Sequence, residues 1–442
     1  MNLFGNGDMT RLMEQKALTQ ALTMSEAIEL MKEESCLRPV RETLEKACGK
    51  EGMSRKALEE YLIDLILNSD PKMTRDNVRH NVRLWTGDDK LSIKREWALR
   101  LALVFGLSLE ETEIFLARTC QEGLHWRDPR DIAFIFAVQN GLNLSETGEL
   151  LEELAAAPEG LLTVPEQEEM KEIFTEQNSS DVRTLSTKEE LTAYLKENQS
   201  CLGGFHNTGY DFFRKYLATI GWKKRTRQEE QALEEKRQKS GGANDHLLYE
   251  EEEVTTRDVL DFCMFDKLIP RVRRAVKGQS AEPDRLLNGL KKELRKGLPE
   301  ETEFSRMVNR KTDINRKVLM LLFLATDGEM PAESIEEQLS NEQAYEEMID
   351  SWEPEDIVED RYERMNTMLS QCGFAQIDPR NRFDWICLYC MSIEDAVLID
   401  GRMQRFLSDM FEVQVDEPLA GYSEEDGGED IFKKIWEMKF KD

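Results

Sequence analysis

The chain has 442 residues, of which 88 are acidic and 59 basic, for a formal net charge of −29 at pH 7. So large an acidic excess excludes a surface built as a whole to coat DNA or an anionic membrane, while leaving room for local basic patches. Hydrophobic residues make up 40%, enough for more than one buried core at the usual ~150 residues per domain.

The first residues, "MNLFGNGDMTRLMEQKALTQ", lack the basic region and apolar core of a signal peptide. The longest apolar run, Val318 to Ala325, is far shorter than the ~18 residues of a membrane span. Eight cysteines scattered along the chain make no disulfide framework. A cytoplasmic protein with reduced thiols and no membrane contact is expected.

Residues 1–53 read as an N-terminal helical segment, followed by a helical domain over 54–157. In "KALEEYLIDLIL" the apolar residues Leu58, Leu62, Leu65 and Ile66 recur at helical spacing. Next comes "TRDNVRHNVRLWTGDDK", Thr74 to Lys90. Pro71 and Gly87 leave room for one helix over Met73 to Trp85, with Val78, Val82 and Trp85 as its apolar face. Arg75, Arg79 and Arg83 lie beside that face, and Asn77 and Asn81 lie on its other flank. Arginine and asparagine are the side chains that read guanine and adenine edges, so these five are the first candidate nucleic-acid site. The bland alternative is a surface helix whose arginines pair with the chain's own acids. Ser54 to His125 carries 11 basic and 12 acidic side chains, which is not the basic footprint of a DNA reader.

Two segments then repeat at an offset of 35 residues, "ALVFGLSLEETEIFLAR" from Ala102 and "AVQNGLNLSETGELLEE" from Ala137. Each predicts a helix, a glycine C-cap (Gly106, Gly141) and a second helix. Ser108 with Glu111, and Asn143 with Glu146, have capping-box spacing. Two copies fall short of a solenoid and suggest a duplicated hairpin inside a small domain.

"AAAPEG", Ala155 to Gly160, closes this block, and "EQNSSD", Glu176 to Asp181, reads as an interruption of the next. Residues 158–244 form a middle helical region and a basic charged helix, ending in the linker "KSGGAND". There Lys223, Lys224, Arg225 and Arg227 follow Trp222 and the aromatic residues Phe212, Phe213 and Tyr216, a mixture able to bind a nucleic-acid strand. Residues 245–415 form a second helical body, and 416–442 an acidic tail with a short amphipathic segment. Within the second body Leu286, Leu287, Leu290 and Leu294 make an amphipathic helix with a basic outer face. For both basic stretches, docking onto the chain's own acids, such as Glu250 to Glu253 or Ala344 to Glu363, is the ordinary explanation. "FDWICLYC" is the best candidate for a strand in a chain that otherwise reads as all-α and multi-domain.

Taken together, "LEEYLIDLILN", "LWTGDDKLSIKREWALRLALVFGLSLEETEIFLAR" and "WRDPRDIAFIFAVQNGLNLSETGELL" resemble Xre-type helix-turn-helix proteins of Gram-positive bacteria over Leu58 to Leu151. "GFAQIDPRNRFDWICLYC", Gly373 to Cys390, looks like a segment of uncharacterised proteins from the same group. The first resemblance implies a DNA-binding regulator, as a homodimer. The departure falls on the functional element, because a full helix-turn-helix needs two short helices before the Trp-x-Gly turn and only one fits here.

Catalytic signatures are missing. There is no phosphate loop, dinucleotide fingerprint, HExxH or EF-hand, and His80, His125, His206 and His246 are far apart. Cys387 and Cys390 form a lone CxxC in apolar surroundings that suit core cysteines. Cys201 near His206 is a bare juxtaposition, since closeness in sequence does not orient a nucleophile and its base. No cofactor or metal is expected. Three readings remain: a non-catalytic regulatory or adaptor protein with a protein partner, in bacterial signalling or phage defence; a DNA-binding regulator; and an enzyme with a scattered site.

Overall fold

The computed structural model describes residues 39–87, 90–158, 160–162, 175–203, 205–226, 228–229, 231–232, 254, 256, 259, 285–329, 354–378, 381–392, 399, 402–403 and 406. Among these it contains helices and no strand, as the helical periodicity predicts. Arg227, His246 and the acidic run Glu250 to Glu253 lie outside the described residues, as does the C-terminal tail.

The N-terminal body begins with α1 (Val40–Ala47), α2 (Arg55–Ser69) and α3 (Arg75–Trp85). Ser54 starts α2 by accepting a hydrogen bond from the Ala57 amide. Along α2 the buried stripe is Leu58, Leu62, Ile63 and Ile66, with Leu65 only half-buried. α3 packs on α2 through Val78, Val82 and Trp85, and the Trp85 ring meets Trp97 edge-on at 5.0 Å. One helix fills the space between Pro71 and Gly87, as expected.

The repeated hairpins follow as α4 (Arg95–Phe105) with α5 (Leu109–Thr119), and α6 (Pro129–Gln139) with α7 (Leu144–Ala156). Gly106 and Gly141 both take positive φ, 63° and 67°. That conformation lets the Leu107 amide donate to Ala102 O, and the Leu142 amide to Ala137 O, closing each first helix. Both capping boxes are formed, with Ser108 and Asn143 each exchanging hydrogen bonds with the glutamate three residues on.

A third hairpin, α8 (Thr175–Arg183) with α9 (Lys188–Glu197), corrects one expectation. "EQNSSD" lies inside α8 rather than breaking a helix, and Asn178 within it is buried, donating to Trp126 O. The Thr187–Glu190 capping box starts α9 in the manner of the other two second helices. In all three, the residue after the capping glutamate (Thr112, Thr147 and Leu191) is buried. α6 touches α5, α7, α8 and α9, and almost every side chain from Pro129 to Ala137 is buried, as a central helix requires.

The C-terminal body comprises α10 (Asn207–Thr219), α11 (Arg285–Arg295), α12 (Glu301–Val308), α13 (Arg316–Thr326), α14 (Pro354–Gln371) and α15 (Arg382–Met391). α13 is buried from Val318 to Thr326 and packs on α10, α14 and α15. "FDWICLYC" is helical, within α15, against the strand expected from its aromatic composition. α15 is buried along its whole length, so its sequence shows no amphipathic period to identify it as a helix.

Each body has its own hydrophobic core, one drawn from Val40 to Leu202 and the other from Phe213 to Phe406, the latter joined by Leu91 from the N-terminal body. No helix among the described residues is long and apolar enough to cross a membrane.

Candidate interaction interface on α3

The side chains of α3 divide as its apolar spacing requires. Asp76, Asn77, His80, Arg83 and Leu84 are exposed, and Leu84, at 51% exposure, is the exposed large hydrophobic residue among those described. Arg75, Arg79 and Arg83 reach solvent from the shoulders of the helix, yet each lies near a carboxylate of the same body. Arg75 is 3.1 Å from Asp64, Arg79 is 3.8 Å from Asp76, and Arg83 is 3.9 Å from Glu59. Glu59 also accepts from Arg55 and from the Thr86 hydroxyl, at 3.0 and 2.9 Å. On the far shoulder Asn81 Nδ2 donates to Asn77 O and Oδ1, at 3.0 and 2.9 Å, so the two amides engage each other.

Exposed pairs of this kind are weak and screened by salt, so the arginines are able to turn to another acceptor. A ligand would nevertheless have to compete with Asp64, Asp76 and Glu59. The sequence contained no sign of the Arg75–Asp64 and Arg83–Glu59 pairs, because they cross between helices whose relative register only the fold sets. Arg79–Asp76 is a helical i, i+3 pair visible in the spacing.

The second candidate cluster is partly absorbed into the C-terminal body. Lys224 donates to Asn309 at 2.6 Å, and Arg225 donates to Val254 O at 2.9 Å. Lys223 is exposed. Phe213 and Tyr216 are core residues, and Trp222 packs edge-on against Phe304 with its indole N–H donating to Thr256. Base stacking on Phe213 and Tyr216 is therefore ruled out by burial, while Phe212 and Trp222 are half-buried against the same core.

The remaining sequence motifs resolve as follows. His206 turns to Asp313, which accepts from its backbone amide at 2.9 Å and lies 2.5 Å from its Nδ1, while Phe374 stacks on the ring. Cys201 Sγ lies 3.7 Å from Ser200 Oγ. Cys387 and Cys390 are free thiols buried in α15. Burial pushes the Cys387 thiol well up and the Cys390 thiol to about 12, which keeps both as neutral core groups.

Comparison with protein families, with curated proteins and with solved structures finds no match to this chain.

Proposed function

We propose that this chain is a non-catalytic regulatory or adaptor protein acting through protein–protein contacts, in bacterial signalling or phage defence. Its 58–151 region is read as an Xre-like helical domain whose DNA-reading helix has become an interaction surface. The observation that carries this reading is α3 itself. A single helix occupies the place of two, its outermost side chains include Asp76 and Leu84, and its arginines sit beside Asp64, Asp76 and Glu59. An acidic residue on the outward face repels phosphate, whereas an exposed leucine ringed by polar groups suits a protein partner.

The alternative is a dimeric DNA-binding regulator using Arg75, Asn77, Arg79, Asn81 and Arg83, and the exposure of these arginines favours it. Fluorescence anisotropy on random duplex DNA, single-stranded DNA and RNA across a salt series separates the two. The adaptor reading expects no binding even at low salt. Affinity that falls log-linearly with salt, and that is lost on reversing Arg79 and Arg83 to glutamate, would replace it with the DNA reading.

A further inference from the structure

Trp85 ends α3, and Leu91 comes six residues later. The segment 90–93 is strung between the two bodies. Lys90 O accepts from the Val40 amide at 2.7 Å, and the Ile93 amide donates to Thr119 O at 2.8 Å, tying the segment into the N-terminal body. Ile93 belongs to the N-terminal core and Leu91, 2% exposed, to the C-terminal core. Leu91 O accepts from the Arg382 guanidinium at 3.3 Å, and Ser92 Oγ donates to Glu293 Oε1 at 2.5 Å.

A second loop docks beside it. Following α5, Gln121 takes the left-handed conformation (φ 58°). Its Oε1 accepts from the Arg382 amide at 2.9 Å and its carbonyl from Asn381 Nδ2 at 3.2 Å. Lys296 Nζ donates to Glu122 Oε1 at 2.9 Å and to Cys120 O at 3.5 Å. Two N-terminal loops thus meet the C-terminal end of α11 and the N-terminal end of α15. Among the described residues the hydrogen bonds here join polar or charged groups, and Leu91 adds a buried apolar contact.

We propose that residues 90–93 and 120–122 form a detachable latch, through which the C-terminal body governs how the end of α3 is held. A few polar pairs, of which Lys296–Glu122 is exposed while Ser92 and Arg382 are buried, and Leu91 as apolar anchor bury far less apolar surface than either core and separate at less cost. Relative motion is the default for bodies joined in this way. The bodies stay tethered when the latch opens, because α8 also touches α14 and the chain crosses between them after Gly203, whose amide donates to Arg127 O. Opening frees Leu91 and Ser92 and with them Lys90, whose amide donates to Gly87 O just past α3 at 3.3 Å. Any partner that engages the C-terminal body at Glu293 or Lys296 then alters α3, whatever α3 binds.

The test is hydrogen–deuterium exchange on the full chain with two variants, Leu91→Ser in the apolar anchor and Lys296→Glu, which sets a repelling charge against Glu122. Lys296 is half-exposed, so its variant keeps the test valid if Leu91→Ser fails to fold. In each variant the expected result is exchange at least about tenfold faster at residues 84–93, 118–122 and 290–296 together, with α6 and α13 unchanged. Faster exchange confined to the neighbours of the altered residue would overturn the latch. So would equal acceleration of α6 and α13, which would make the two bodies one cooperative unit.

Discussion

In the C-terminal body Arg316 forms a bidentate pair with Asp384, at 2.6 and 2.8 Å, and donates also to the carbonyls of Ala375 and Gln376. Arg361, fully buried, is held by Asp327 and Met391 O. In the N-terminal body Arg75, Arg79 and Arg83 project from α3 into solvent, with one carboxylate apiece at 3.1 to 3.9 Å. The same side chain therefore acts inside as a fixed cross-link between segments and outside as a loosely paired charge free for exchange. Charge count alone does not distinguish the two uses; desolvation and the number of satisfied donors do.

Breaking the internal pair should give the largest effect. Asp384→Ala strands the Arg316 guanidinium and removes the acceptor of the Asp378 amide, so a loss of about 3–5 kcal/mol is expected in urea unfolding. Replacing both partners by apolar residues of similar volume should recover much of that loss. A drop below ~1 kcal/mol for Asp384→Ala would place the pair with the exposed kind.

Next comes a dependence on pH. Lys317 donates to the carbonyls of Glu293, Leu294 and Lys296 at the end of α11, and burial pulls its ammonium from the ordinary 10.5 down to about 8. Between these two values the unfolded chain keeps a proton that the folded chain has released, so this group's contribution makes stability rise with pH. Cys372 and Cys390 act in the opposite sense. Burial raises both thiols from 9.0 to about 12, so above pH 9 the unfolded chain ionises first and stability falls. Comparing wild type with Lys317→Met from pH 7.5 to 10.5 isolates the lysine. The stability difference should move in favour of wild type as pH rises. A constant difference would mean that the three carbonyls hold the ammonium charged throughout.

The hairpins of the N-terminal body were legible because their signals are local. Gly106 with Ser108 and Glu111, and Gly141 with Asn143 and Glu146, spell out a helix end and a helix start within six residues. Ser108→Ala and Asn143→Ala should each cost about 0.5–2 kcal/mol, read as a Tm shift, if these caps act as the structure shows. The third hairpin carries a weaker signal, because no glycine closes its first helix before Thr187 and its cap lies 44 residues after Asn143 rather than 35. α15 and the interior arginines were illegible for another reason. A helix buried on every side carries no period, and nothing in a row of letters marks Arg361 or Asp384 as interior. Of the candidate site, the composition and shoulders of α3 could be read, but the carboxylates of α2 that face Arg75 and Arg83 could not.

The smallest effect should come from α3, and it sharpens the contrast most. Arg79→Glu and Arg83→Glu each remove an exposed pair and set a like charge near Asp76 or Glu59. Pairs of this kind contribute about 0.2–1 kcal/mol, and the Debye length of about 8 Å at physiological salt reduces the new repulsion. The double variant should therefore unfold within about 2 kcal/mol of wild type, and the gap should narrow in 1 M salt. Such tolerance would leave the arginines available for recognition, and binding measurements on the double variant would report on partners alone. A loss as large as that of Asp384→Ala, unaffected by salt, would mean that Asp64, Asp76 and Glu59 fix α3 in place as firmly as the buried pairs fix α13 and α15. The exposed helix would then be a structural strut, and the adaptor and DNA readings would both have to look elsewhere on the surface.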